Sequence, residues 1–132
     1  MIEGIYLPGV LAAGIASYIF GSIWYYVLSY SWMNAIGISE EDVQMSPFTY
    51  VITFLCEMIM AFVLAGILVY SGSVTIASGV TAAIVIWGGF VLTGLIVNHK
   101  FQRASWMLTL IDAGHWLGVL MVQGMVYAQI SG

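Results

Sequence analysis

Charge is what this sequence has least of. Only 6% of its 132 residues are Asp, Glu, Lys or Arg, where an ordinary soluble domain carries about a quarter. A soluble domain of this size must cover its surface with polar groups, and 62% of these residues are hydrophobic. A bilayer is the solvent that fits. Basic residues are the scarcest: Lys100 and Arg103 stand against six acids, for a formal net charge of -4. That excludes a basic nucleic-acid surface and a polybasic segment for anionic lipid. The single cysteine, Cys56, lies in an apolar run, so no internal disulfide can form and the redox compartment is unread. Also missing are a nucleophile elbow, a phosphate loop, a paired-cysteine motif and a zinc-protease motif, so no recognised catalytic pattern is present. Glu3 stands where a secretory signal would carry positive charge. The apolar run behind it is longer than a signal core, so it reads as a retained helix.

Long charge-free runs are what remain. No charge occurs from Gly4 to Ser39; Glu57 alone interrupts 43–99, and Asp112 alone interrupts 104–132. A spanning helix needs about 20 apolar residues. The expected fold is therefore all-α, an integral membrane bundle of four transmembrane helices forming one domain over 1–132. The spans fall at about 8–30, 47–70, 75–97 and 104–128. Ser46 can cap the second, with Pro47 at its first position, and Ser71-Gly72-Ser73 turns into the third. The one substantial loop is 31–46; within it Ser39-Glu40-Glu41-Asp42 reads as a capped short helix start, an acidic interfacial loop in preference to a binding site. Lys100 and Arg103 both lie in the connection 98–103, which the positive-inside rule puts in the cytoplasm. Four spans then put 31–46 in the cytoplasm as well, with both termini outside.

Inside lipid, apolar burial does not drive helix association and close backbone approach matters more. The first span carries Gly9, Ala13, Ser17 and Gly21 at every fourth position; the fourth carries Gly114 and Gly118, then Gly124 and Ala128; the third has Gly79 and Ala83. These are expected helix-packing faces, used within one bundle or as a homo-oligomer seam, the former being the simpler reading. Trp24, Tyr25, Tyr26, Tyr30 and Trp32 crowd the end of the first span and Trp106 opens the fourth. An interfacial aromatic belt explains most of them, and aromatic counts alone do not support a pigment or cofactor pocket.

Two acids fall inside spans, Glu57 and Asp112, and His115 follows Asp112 by three residues on the same helical face. Charge at mid-bilayer is costly, so such residues usually face the bundle interior and carry function. Counting about 1.5 Å per residue from Pro47 and Ala104 puts Glu57, Asp112 and His115 at roughly 12–16 Å depth, in one layer. Ser105, Thr109 and Gln123 fall near the Asp112 face. The expected intramembrane polar site is Glu57, Asp112, His115 and Gln123. It could relay protons or ions, hold a polar ligand head group, or bind a divalent metal through Glu57, Asp112 and His115. The structural alternative is a buried hydrogen-bonded network that fixes helix register, with one or both acids protonated. The metal reading is the weakest, because His99, the other histidine, is expected to be a loop residue near the cytoplasmic end.

Gly21-Ser22-Ile23-Trp24-Tyr25, Leu28 and Trp32-Met33-Asn34-Ala35-Ile36-Gly37 resemble the first-helix signature of an uncharacterised bacterial membrane family, domain of unknown function 1761. So do Trp87-Gly88-Gly89-Phe90-Val91, then Asn98, Phe101 and Arg103, then Leu110-Ile111-Asp112-Ala113-Gly114-His115. The resemblance covers nearly the whole chain. It implies four spans, a bacterial inner membrane and no established activity; Asp112 stands where the family would carry a neutral polar residue such as Asn. The expected role is a small non-enzymatic membrane protein, a homo-oligomer or an accessory subunit of a larger complex. A proton- or ion-coupled carrier or channel built on Glu57, Asp112 and His115 is the alternative, and a metal-dependent membrane enzyme a third. The sequence names no cofactor, and its expected partners are lipid and other membrane subunits.

Overall fold

The computed structural model describes residues 3–132 and is helical throughout, with no strand among the described residues. The elements are α1 (Leu7–Val27), α2 (Ser29–Ile36), a 3-10 turn (Glu40–Asp42), α3 (Pro47–Ser71), α4 (Ile76–Ile86), a π-helical turn (Trp87–Val91), α5 (Leu92–Phe101) and α6 (Trp106–Ser131). The stretch from α4 through the π turn to α5 is one continuous helix, Ile76–Phe101. Three helices, Leu7–Val27, Pro47–Ser71 and Ile76–Phe101, are long and apolar enough to cross a membrane. Their outer faces carry Ile15, Ile19 and Ile23 on α1, Ile59 and Val63 on α3, and Ile84 and Val85 on α4, all exposed. An apolar belt of that extent is what lipid contact requires.

Helix α6 is the hub. It packs along α1 on one side and α4 on the other, and α3 lies against α1. The core occupies one end of the bundle, where Val10 and Ala13 of α1, Ala61, Ala65 and Leu68 of α3, and Tyr127 of α6 are buried together. A second cluster joins Leu64, Ala83 and Leu120 from α3, α4 and α6. At the other end α3 leans away, and Phe48, Tyr50, Val51, Ile52 and Leu55 in its first half are all exposed. The bundle is thus closed where α3 ends and open where it begins.

Glycine sets how closely the helices approach. A Cβ on Gly79 would lie 2.5 Å from the Gly124 carbonyl oxygen, and one on Gly124 would lie 2.5 Å from that of Gly79. The backbones of α4 and α6 therefore touch there. Between α1 and α6 the fit is reciprocal: Gly9 faces Tyr127 and Ser131, while Gly118 and Gly114 receive the rings of Phe20 and Trp24.

Several boundaries differ from the sequence reading. The first span, expected to reach residue 30, stops at Val27, and the backbone breaks at Leu28. Residues 31–36 of the expected 31–46 loop belong to α2, which packs against α6, buries Met33 and has its Ala35 carbonyl accepting from Ser105 Oγ at 3.3 Å. Ser39 and Asp42 pair around the 3-10 turn, the Ser39 hydroxyl and amide both donating to Asp42 Oδ2 at 3.0 and 3.2 Å. Ser46 occupies the cap position of α3, but its hydroxyl meets Thr49 Oγ1 at 3.4 Å rather than a backbone N–H. The third long helix runs to Phe101, beyond the expected 97, and takes His99 and Lys100 into its last turn. Lys100 sits 3.9 Å above the Trp106 ring and donates to the Ala104 carbonyl at 2.8 Å, an arrangement that lets a lysine stem lie along apolar surface with its head at the edge.

Candidate functional site

Helix α1 reads off the polar positions one turn at a time. Ser17, Gly21 and Tyr25 lie four residues apart on one face, and each meets a different group. At Ser17 the hydroxyl donates to Glu57 Oε1 at 2.9 Å and accepts from Gln123 Nε2 at 3.0 Å. The same amide nitrogen donates to the Glu57 backbone carbonyl at 3.0 Å. Ser17, Glu57 and Gln123 are all at most 1% exposed. Three helices are joined at this one point. At Gly21 a Cβ would lie 2.6 Å from His115 Nε2, so the imidazole takes the space that a side chain would fill. At Tyr25 the phenol donates to Asp112 Oδ1 at 2.6 Å.

The expected single layer is therefore a ladder. Glu57, His115 and Asp112 face α1 positions 17, 21 and 25, which spreads them over roughly 12 Å at 1.5 Å per residue. The depth count failed because it assumes that α3 and α6 begin at one plane, whereas register between helices is set by their packing. Gln123, the fourth expected member, is bonded into the Glu57 end alone. Glu57, Asp112 and His115 do not converge on one point, and among the described residues no group of three His, Cys, Asp or Glu side chains is placed to hold a metal ion.

His99 is the residue that sequence reasoning missed. It is buried in α5, with Nδ1 2.8 Å from Thr109 Oγ1 and Nε2 3.6 Å from Asp112 Oδ2. The second distance is too long for a hydrogen bond. Two indoles brace the same stretch of α6: Trp24 Nε1 donates to the Ile111 carbonyl at 3.1 Å and Trp87 Nε1 to that of Ala113 at 2.7 Å. The Asp112 side chain is thus met from α1 and α5, while α1 and the π turn brace the α6 backbone on either side of it. His115 is held differently. It is 4% exposed, lies between the Tyr25 and Trp116 rings at 4.7 and 4.5 Å, and its buried Nδ1 has no hydrogen-bond partner.

Where α3 leans away, a cleft of about 700 Å³ runs between α1 and the first half of α3. Thr49, Thr53 and Glu57 descend its α3 wall at four-residue intervals, and Tyr18, Ser22 and Tyr25 face them from α1. Asp112 and His115 reach it from α6, and Trp32 and Glu40 stand with the α2 and loop residues. Tyr18 meets Phe54 edge-on, with ring centroids 5.5 Å apart, between α1 and α3. All three members of the ladder therefore border one cavity. His99, Thr109 and Gln123 do not line it.

No curated protein and no solved structure matches the chain. The family described as Protein of unknown function (DUF1761) matches residues 8–128, a stretch that contains the whole ladder and the π turn Trp87–Val91. The chain belongs to this family of unknown function, DUF1761.

Proposed function

We propose that this chain is a four-span membrane protein that admits a small organic ligand from one membrane face into the cleft, as a proton-coupled carrier and not as an enzyme. The observation that carries this reading is the shared cavity: Glu57, His115 and Asp112, staggered along α1, all line it. The fourth span is α6. Its 26 residues extend roughly 39 Å at 1.5 Å per residue, more than a hydrocarbon core of about 30 Å. Its polar residues are directed at α1, α5 and the cleft, which is why it is less apolar than its neighbours. The contact of Ser105 with Ala35 puts the cleft mouth at the same end as Lys100 and Arg103, so this end is the cytoplasmic one under the positive-inside rule.

Water access tests the reading without knowing the ligand. Thiolate forms only where water reaches. In a Cys56→Ser background, Thr53→Cys is expected to react with a membrane-impermeant maleimide in inverted vesicles and to be protected in intact cells. Val63→Cys, on the apolar outer face of α3, is expected to stay unlabelled from both sides. Protection of Thr53→Cys from both sides would sink the cleft reading. Given labelling, Glu57→Gln is expected to abolish proton-linked flux in liposomes.

A second reading, a homo-oligomer, has one observation in its favour. Gly89 and Gly94 are exposed on the continuous helix Ile76–Phe101 with open space around them, bare backbone of the kind that helices pack on. Replacing Gly94 by Leu is expected to reduce a dimer to a monomer in nanodisc mass measurements; an unchanged mass would remove this seam.

A further inference from the structure

We propose that the cleft is selective for amphipathic organic cations, an ammonium or phosphonium centre carrying an aryl or alkyl body. This rests on the cleft being a ligand site and adds the class of ligand. The charge balance of the wall comes first: Glu40, Glu57 and Asp112 line it, and neither Lys100 nor Arg103 does. An anion placed there would meet three carboxyl groups and no fixed positive charge, whereas a cation would meet complementary partners. The second observation is aromatic. Tyr18, Tyr25, Tyr26, Tyr50 and Trp32 share the lining, and the faces of such rings attract a desolvated cation while their area accommodates an apolar body. The third is His115, a 4% exposed side chain that borders the cleft with Nδ1 unpartnered. A buried nitrogen without a partner is a departure from normal satisfaction, and here it belongs to the ladder residue that lies between the rungs of the two carboxyl groups. The cavity, about 700 Å³, lies within the ordinary range for small-molecule sites, roughly 300–1,000 Å³.

The test compares two ions of one shape and opposite sign on the full chain in nanodiscs. Tetraphenylphosphonium and tetraphenylborate are titrated while tryptophan fluorescence is read, with empty nanodiscs correcting for partition into lipid. Saturable quenching by the phosphonium and none by the borate is expected. Glu57→Gln is expected to weaken it about tenfold or more, the ratio that loss of one charge-assisted contact produces. Tyr26→Ala is the second variant, because Tyr26 is 83% exposed and its loss leaves the core intact; it too is expected to lower the affinity. Equal binding of the borate, absence of saturable binding by the phosphonium, or affinities unchanged in both variants would overturn the assignment. The maleimide experiment separates the two levels. Labelled Thr53→Cys with no preference for the cation leaves the cleft standing and removes its ligand class, while an unlabelled cysteine removes both.

Discussion

Gly124→Ala is expected to destabilise the bundle by about 1–3 kcal/mol, the usual cost of forcing extra atoms into a packed contact. The added methyl has nowhere to go, because its nearest neighbours are the Gly79 carbonyl oxygen, carbonyl carbon and Cα at 2.5, 2.8 and 3.0 Å. All three are backbone, so no rotamer change relieves the clash and α4 must move off α6. Gly79→Ala meets the Gly124 backbone in the same way and is expected to cost a similar amount. The two changes act on one contact, so their effects are not expected to add. Gly94→Ala is the internal control. Nothing lies within 4 Å of its added Cβ, and alanine is the better helix former, so stability is expected to hold or rise. Reversible unfolding in mixed micelles, followed by tryptophan fluorescence, measures all three. Equal stability of Gly124→Ala and Gly94→Ala would show that α4 and α6 are not in backbone contact.

That contact was partly legible beforehand. Gly79 with Ala83 and Gly124 with Ala128 are small residues at helical spacing, and lipid favours such pairs as contact points. What spacing does not show is which faces meet. Ala13, Ser17 and Gly21 look like one more stripe of small residues, yet the structure gives each a different task. Ala13 is core, Ser17 is a hydrogen-bond centre and Gly21 makes room for an imidazole. Residue size is visible in a sequence; the partner across the gap is a tertiary fact.

The same distinction explains the other departures. His99 reads as part of a connection wherever charge marks a helix end, because Lys100 follows it directly. The helix ignores that boundary, since one lysine at a helix end can reach the surface over an aromatic ring. Leu28 carries no breaker signal, being an apolar residue between Val27 and Ser29, so the end of α1 there is not legible in the sequence. The π turn is likewise silent. Two glycines in Trp87-Gly88-Gly89 lower helix propensity, but the turn's consequence is the placement of the Trp87 indole on the Ala113 carbonyl, which only the packed structure reveals. Polar residues inside apolar runs are the plainest signal in the sequence, because an unpaired polar group is costly away from water. Glu57, His115 and Gln123 are accordingly buried and Asp112 is half-buried.

Ser17→Ala is expected to be the most damaging single-atom change in the polar ladder, costing about 1–3 kcal/mol for each buried group it strands. The hydroxyl has one proton and two acceptors near it, Glu57 Oε1 at 2.9 Å and the Gly14 carbonyl at 3.0 Å, and it accepts from Gln123 Nε2. Gly14 keeps its helical partner when the hydroxyl goes. The carboxyl oxygen and one amide hydrogen do not, and both belong to residues at most 1% exposed. Gln123→Met is expected to cost less. It removes the donor together with its own Oε1, which has no partner in the folded protein, and leaves the Ser17–Glu57 bond in place. Glu57→Gln is expected to be the mildest of the three, since an amide oxygen accepts from Ser17 as the carboxyl oxygen does. The predicted order of destabilisation, Ser17→Ala above Gln123→Met above Glu57→Gln, reads out whether the hydroxyl is the hinge of the network. Unfolding in mixed micelles measures it, and Ser17→Ala within roughly 0.5 kcal/mol of the parent, the scatter of ordinary surface changes, would remove Ser17 from that role. The mildness of Glu57→Gln also makes it the proper variant for flux and cation binding: it takes away charge at the cleft while the three helices stay joined.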